Sequence, residues 1–204
     1  MPAFVLQAEA EDSAPLSEPH AHPGDDSDEQ VMMTCAAGDA AAFDILFTRY
    51  RQPIYGFFRR RLADPAIAEE LAQETFLVVL RAAARYRQSA LFRTWLYAIA
   101  FKILHAHHRK AAFRATFQGA PAEVPEPAAS GNVDTAVMMR LAVGKLDKPD
   151  REVLLLREFE QLSYAEIGEL LNLPLNTVRS RLFRARTALH HLLAAPAAAG
   201  KERI

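Results

Sequence analysis

Along most of this chain apolar side chains return every three or four residues, which is the period of a helix. Few runs alternate apolar with polar, and Ala, Leu, Arg and Glu dominate, so the pattern predicts an all-α protein. A first helix is expected from about Asp28 to Ala37, stopped by Gly38. A second begins near Asp39 and carries Phe43, Leu46, Phe47, Tyr50, Ile54, Tyr55 and Phe58 as its stripe. Asp64 and Pro65 make a cap and first-turn pair for a third helix, which reaches to about Tyr86. A fourth runs from Phe92 to about Arg114. The stretch Thr116–Asn132, with Gly119, Pro121, Pro125, Pro127 and Gly131, has no helical period and reads as a flexible linker. Four more helices are expected near 133–145, 149–159, 163–171 and 174–192.

The last two helices hold the most specific pattern. Ser163 with Glu166 forms a capping box, and Ile167, Leu170 and Leu171 supply a buried stripe. Asn172 stands where the chain turns sharply, a place where Asn tolerates the left-handed conformation. Pro174 suits the first turn of the following helix. Leu175, Val178, Leu182, Ala185 and Leu189 then make one apolar face. The opposite face presents Asn176, Thr177, Arg179, Ser180, Phe183, Arg184 and Thr187, with Arg181 and Arg186 on its flanks and no acid. A helix buried on one side and loaded with arginine on the other suits the major groove of DNA. The pair reads as a helix-turn-helix.

Charge changes the picture, because the formal net value of −1 conceals segregation. Residues 1–30 contain eight Asp or Glu and no Lys or Arg. Between Glu74 and Glu123 there is no acid, while Arg81, Arg85, Arg87, Arg93, Lys102, Arg109, Lys110 and Arg114 fall in that interval. Two basic surfaces, one here and one on the helix-turn-helix, point to a polyanion held at two places. The third helix turns Ile67, Leu71 and Val78 inward, whereas Glu70, Gln73, Glu74 and Leu77 form a mixed acidic and apolar outer stripe, with Leu80 beside it. Such a stripe reads as a protein-docking surface. On the fourth helix Trp95 belongs to the core, while Tyr86 and the loop Arg87–Ser89 are assigned to solvent and nucleic acid, since aromatic faces beside cations suit unstacked bases.

Other chemistry finds little support. No phosphate-cradling glycine loop, nucleophile elbow or paired carboxylate site occurs, so no catalysis and no cofactor is expected. His105, His107 and His108 lie near Arg109 and Lys110 without an acidic ligand, which suits solvent or phosphate better than a metal, and His20 with His22 is too sparse a set. Cys35 is the only cysteine. That excludes an internal disulfide and fits a reducing compartment. No run of apolar residues is long enough to span a membrane, and the start lacks the basic and apolar regions of a signal peptide, so a cytoplasmic protein is expected.

These residues together resemble a family. GDAAAFDILFTRYRQPIYGFFRRRL, DPAIAEELAQETFLVVLRA, RYRQSALFRTWLYAIAFK and LDKPDREVLLLREFEQLSYAEIGELLNLPLNTVRSRLFRAR follow one another as in the extracytoplasmic-function sigma factors of the sigma-70 family. The resemblance covers about residues 31–193. It implies a four-helix region 2 over 29–114, a linker over 115–132 and a helix-turn-helix region 4 over 133–193, between an acidic tail 1–28 and a frayed tail 194–204. It implies a promoter-recognition subunit of RNA polymerase, acting in a stress or envelope response, with core polymerase, promoter DNA and an anti-sigma factor as partners. Glu70, Gln73, Glu74 and Leu77 would contact the core enzyme. Tyr86, Arg87, Gln88 and Ser89 would receive a base flipped from the minus-10 element. Lys102 stands where the family commonly has an asparagine that reads the minus-10 base, and a lysine lacks the amide's paired donor and acceptor. Thr177, Arg179, Ser180, Arg181, Phe183 and Arg184 would meet the minus-35 element. Asn172 and Asn176 replace glycines that are common in the family. A free-standing helix-turn-helix regulator is the alternative reading.

Overall fold

The computed structural model describes residues 27–87, 91–118 and 133–194, without the side chains of 115–118 and 133–136. Its described residues are helical throughout: α1 (Asp28–Ala36), α2 (Ala40–Arg59), α3 (Pro65–Ala82), α4 (Phe92–Gln118), α5 (Val133–Gly144), α6 (Lys148–Glu158), α7 (Tyr164–Leu171) and α8 (Leu175–Ala194). The caps explain most of these starts. Ser27 and Gln30 close a capping box on α1. Asp39 accepts from the Ala41 amide at 2.9 Å, and Asp64 accepts from the Ala66 amide at 2.7 Å.

Helix α1 begins at Asp28, where the helical pattern places its start. Two boundaries differ from the sequence expectation. Helix α3 ends at Ala82 and gives way to a 3-10 turn, Ala83–Arg85, before Tyr86. Helix α4 continues to Gln118, inside the stretch read as linker. The rest of that linker, 119–132, lies outside the described residues, as do both tails at 1–26 and 195–204.

Helices α1 to α4 form the first module, and α5 to α8 the second. Met32, Leu46, Ile54, Phe57, Phe58, Phe92 and Leu96 are fully buried in the first. Leu156, Leu162, Ile167 and Leu182 are fully buried in the second. The aromatic rings of the first core meet edge to face, as Phe57 with Phe58 (5.1 Å) and Tyr50 with Phe92 (5.4 Å).

The two modules pack against each other. Arg61 is buried between them: its Nε and Nη2 donate to Glu152 Oε1 at 2.9 and 2.7 Å, and its Nη1 donates to Glu160 Oε1 at 2.9 Å. Burial pulls the Arg61 pKa down, but the Glu152 and Glu160 charges outweigh it and raise the value above the ordinary arginine range. At the other end of the seam Thr94 of α4 donates to Glu166 of α7, with Arg93 at 4.0 Å from the same carboxylate.

Candidate polymerase and nucleic-acid interfaces

Helix α3 separates its faces cleanly. Ala68, Leu71, Ala72, Thr75, Phe76 and Val79 are buried, and the Thr75 hydroxyl is satisfied by donating to the Leu71 carbonyl at 2.8 Å. Glu70, Gln73, Glu74 and Leu77 all face solvent on the opposite side, with Leu77 half exposed at 52% and Leu80 at 50%. Ile67 and Val78, expected inside, are partly buried at the margin of the core. Two leucines held out in water beside three polar side chains make a ready apolar contact with a charged rim.

The start of α4 is built differently from the sequence expectation. Tyr86 does not face solvent: it is only 3% exposed. Its ring meets Trp95 at 5.2 Å and Phe92 at 6.2 Å, both edge to face. Burial, then the Glu29 and Asp28 carboxylates, push its pKa up to about 12. Helix α1 lies close by and anchors the start of α4, a relationship the local pattern around Tyr86 does not carry. Glu29 accepts from the Phe92 amide at 2.9 Å, capping α4 from another helix, while Asp28 accepts from Arg49 at 2.8 Å and from the Tyr50 hydroxyl. Tyr86 is therefore buried against the first turn of α4 and not open to solvent. Arg87 is exposed, with its Nη1 donating to the Ala84 and Tyr86 carbonyls at 3.3 and 3.1 Å. Gln88 and Ser89 lie outside the described residues. Lys102 is exposed further along α4. Trp95 is partly buried and packs against the core.

The helix-turn-helix follows its expected geometry. The Ser163 amide donates to Glu166 Oε2 at 2.7 Å, and the Glu166 amide donates to Ser163 Oγ at 3.2 Å. Asn172 takes the left-handed conformation at φ 53° and ψ 53°. The turn also needs Gly168, which the sequence reading passed over. A Cβ there would lie 2.9 Å from the Leu173 carbonyl oxygen, and that carbonyl's own amide already donates to the Gly168 carbonyl at 2.8 Å. Val178, Leu182 and Ala185 are buried and Leu189 partly so, but Leu175, counted on the apolar face, is 43% exposed. It is the first residue of α8.

On the outer face Arg179, Ser180, Phe183 and Arg184 are exposed, Phe183 to 71%, while Thr177 and Arg181 are partly buried. Ser180 Oγ donates to the Thr177 carbonyl at 3.1 Å. Arg184 is held bidentately by Asp150 of α6, and Arg186 pairs with Glu158 at 2.8 Å. No group of three or more possible metal ligands gathers among the described residues, around His105–His108 or elsewhere. The His105 ring lies 4.5 Å from that of Phe101, tilted by 55°. Burial, then His107, His105 and Lys148, lowers the His108 pKa. No helix among the described residues is long and apolar enough to cross a membrane.

The two modules coincide with two family models: Sigma-70 region 2 matches residues 46–114, and Sigma-70 region 4 matches residues 136–189. The RNA polymerase sigma-H factor of Pseudomonas aeruginosa is 34% identical over 183 residues, covering 82% of this chain and 94% of the relative. The chain belongs to the extracytoplasmic-function sigma factors of the sigma-70 family. The RNA polymerase sigma factor YlaC of Bacillus subtilis is also 34% identical, over 71% of this sigma factor and 87% of YlaC. Among solved structures, CnrH in complex with the cytosolic domain of CnrY aligns with TM-score 0.63 at 24% identity, over 83% of this chain and 99% of that one. RpoE from Bartonella quintana, in complex with the anti-sigma factor NepR, aligns with TM-score 0.64 at 22% identity, over 74% and 96%. Both likenesses concern the all-α, two-module fold.

A sigma factor directs RNA polymerase to promoters and starts transcription; it is a DNA-binding initiation factor and not an enzyme. The match to region 2 decides against a free-standing helix-turn-helix regulator, which would need only the second module.

Proposed function

We propose that this sigma factor joins core polymerase through Glu70, Gln73, Glu74 and Leu77, and reads its promoter through two separate surfaces. The observation that carries this is the exposed stripe on α3, which lies on the opposite side of that helix from the buried core. Arg87, Gln88, Ser89 and Lys102 meet the minus-10 element, with Tyr86 as the buried support of that loop. Thr177, Arg179, Ser180, Arg181, Phe183 and Arg184 meet the minus-35 element. The division into a core-binding module over 29–114, a linker and a promoter-binding module over 133–193 follows from the same assignment. An anti-sigma factor holds the protein inactive in the cytoplasm, a reading supported by the fold shared with RpoE, which was captured with NepR.

Both surfaces cannot read one promoter while the modules stay packed. Elements some 25 base pairs apart are separated by about 85 Å along the helix axis. A seam in which α7 touches α4 holds the readers far closer than that. The Arg61 and Glu166 contacts therefore part when the protein engages polymerase and DNA.

The test is run-off transcription with purified core polymerase on genomic fragments, with transcript ends sequenced. Defined starts that require the added protein, and that vanish with Leu77→Arg while duplex binding persists, support the reading. Transcription indifferent to the protein would refute it.

A further inference from the structure

Arg184 and Asp150 form the best-defined ion pair on the second module. Arg184 Nε donates to Asp150 Oδ2 at 2.9 Å, and Nη2 donates to Oδ1 at 2.8 Å. The carboxylate is nearly buried, at 10% exposure, in the first turn of α6, where the helix dipole favours an acid. The guanidinium is 58% exposed on the outer face of α8, beside Ser180 and Phe183. The pair at Arg186 and Glu158 differs: one carboxylate oxygen takes both contacts, and both side chains are about half exposed. That is a solvated rim pair, whereas Asp150 fixes the orientation of a planar group.

Two of the five N–H donors of Arg184 are occupied by Asp150, both on the edge between Nε and Nη2. The hydrogens of Nη1 and the outer hydrogen of Nη2 define a second edge, pointing away from the carboxylate. That end-on edge matches the O6 and N7 acceptors of guanine in the major groove. A free arginine would have to surrender its rotamer freedom on reaching a base, and it would seek phosphate equally well.

We propose that Asp150 is a positioning residue for promoter reading: it clamps Arg184 so that the remaining edge of the guanidinium stands ready for a guanine of the minus-35 element. The clamp acts on discrimination in two ways. It removes the ordering cost of one long side chain at the moment of binding, worth about two- to tenfold in specific affinity. It also places a carboxylate against the arginine, so that the pair attracts phosphate less than a lone arginine does and non-specific binding is held down. This inference rests on α8 meeting the minus-35 element.

The experiment uses holoenzyme assembled from the full chain and core polymerase, on a promoter duplex recovered by that holoenzyme. Each minus-35 guanine is replaced in turn by 7-deazaguanine, which lacks the N7 acceptor. Affinity is compared with that for a random duplex. The parent protein should lose affinity at one guanine position. Asp150→Asn should shrink that discrimination about two- to tenfold, with random-duplex binding unchanged or stronger. Arg184→Ala should abolish it, and Asp150→Asn added to Arg184→Ala should change nothing further. Discrimination retained in Asp150→Asn, beside its loss in Arg184→Ala, would overturn the clamp and leave the α8 reading standing. An Asp150→Asn loss of overall promoter affinity that is equally large in the Arg184→Ala background would show a scaffold role only, and overturn it too. Full discrimination in Arg184→Ala would remove both the clamp and the assignment of Arg184 to the minus-35 element.

Discussion

Arg61, just past the end of α2 in the first module, places its Nη1 2.9 Å from the carboxylate of Glu160 in the second, and both side chains are almost wholly buried. The guanidinium also lies 3.9 Å over the Phe57 ring, and Glu152 closes its other edge. Glu160 Oε2 finds no protein donor among the described residues. A buried charge with an incomplete shell adds little stability but makes partial disruption costly, which suits a seam that is either closed or fully parted. Arg61→Ala would leave the buried Glu160 carboxylate with Arg60 alone, at 3.2 Å, and would cost up to about 3–5 kcal/mol. The seam should open, raising the radius of gyration in small-angle scattering with helix content unchanged. An unaltered radius would mean that other contacts hold the modules together.

The outer stripe of α3 makes a second prediction. Leu77 and Glu74 face solvent, so Leu77→Arg and Glu74→Arg should alter folding stability by no more than about 0.5 kcal/mol. Affinity for core polymerase should nonetheless fall by about 2 kcal/mol or more, roughly thirtyfold, if the stripe is the centre of that interface. Competition against a second sigma factor for a limiting amount of core enzyme measures this directly.

Gly168 tests the helix-turn-helix itself. Its added methyl would stand 2.9 Å from the Leu173 carbonyl oxygen, a backbone atom that cannot swing aside. Gly168→Ala should destabilise the second module by about 1–3 kcal/mol, lowering its Tm by about 4–8 °C for each kcal/mol. Calorimetry showing no shift would mean that the turn relaxes freely.

Acid should loosen the start of α7. Burial works against the Glu166 carboxylate, but hydrogen bonds from Thr94 and Ser163 outweigh it and hold its pKa below the ordinary glutamate range. A depressed folded pKa gives stability that is fully present above the unfolded value of about 4.3 and is lost as pH falls through the folded one. Glu166→Gln should therefore cost about 0.5–2 kcal/mol at neutral pH, and the difference from the parent should shrink as pH falls below about 4.3 and vanish once pH is below the depressed folded-state pKa. A difference independent of pH would assign the loss to shape and not to charge.

The local patterns read well wherever a helix begins or turns by its own side chains. Asp64 with Pro65, Ser163 with Glu166, and Asn172 all act within a few residues of their own positions, so a linear reading finds them. The α3 stripe was legible for the same reason, since 70, 73, 74 and 77 share a face on any α-helix. Tyr86 reads as a solvent residue but packs on Phe92 and Trp95, and the start of that helix is capped from α1 through Glu29, 57 positions before Tyr86. The sequence places Asp28 and Glu29 in the first turn of a helix, but not against Arg49, Tyr50 and the Phe92 amide, which they meet in the fold. Asp150 gave no signal at all, because its partner lies 34 residues away on another helix.

Helical period, capping and segregated charge are properties of neighbours in the chain, and they alone determined that this protein is helical, two-moduled and built to hold a polyanion. Tertiary structure decided which polar groups are tools and which are struts. Tyr86 became a core residue, Glu29 a cap, Asp150 a clamp on Arg184, and Arg61 the bolt between modules. Each of those roles depends on a carboxylate or ring brought in from a distant helix, where burial strengthens the interaction and the linear code carries no record of the meeting.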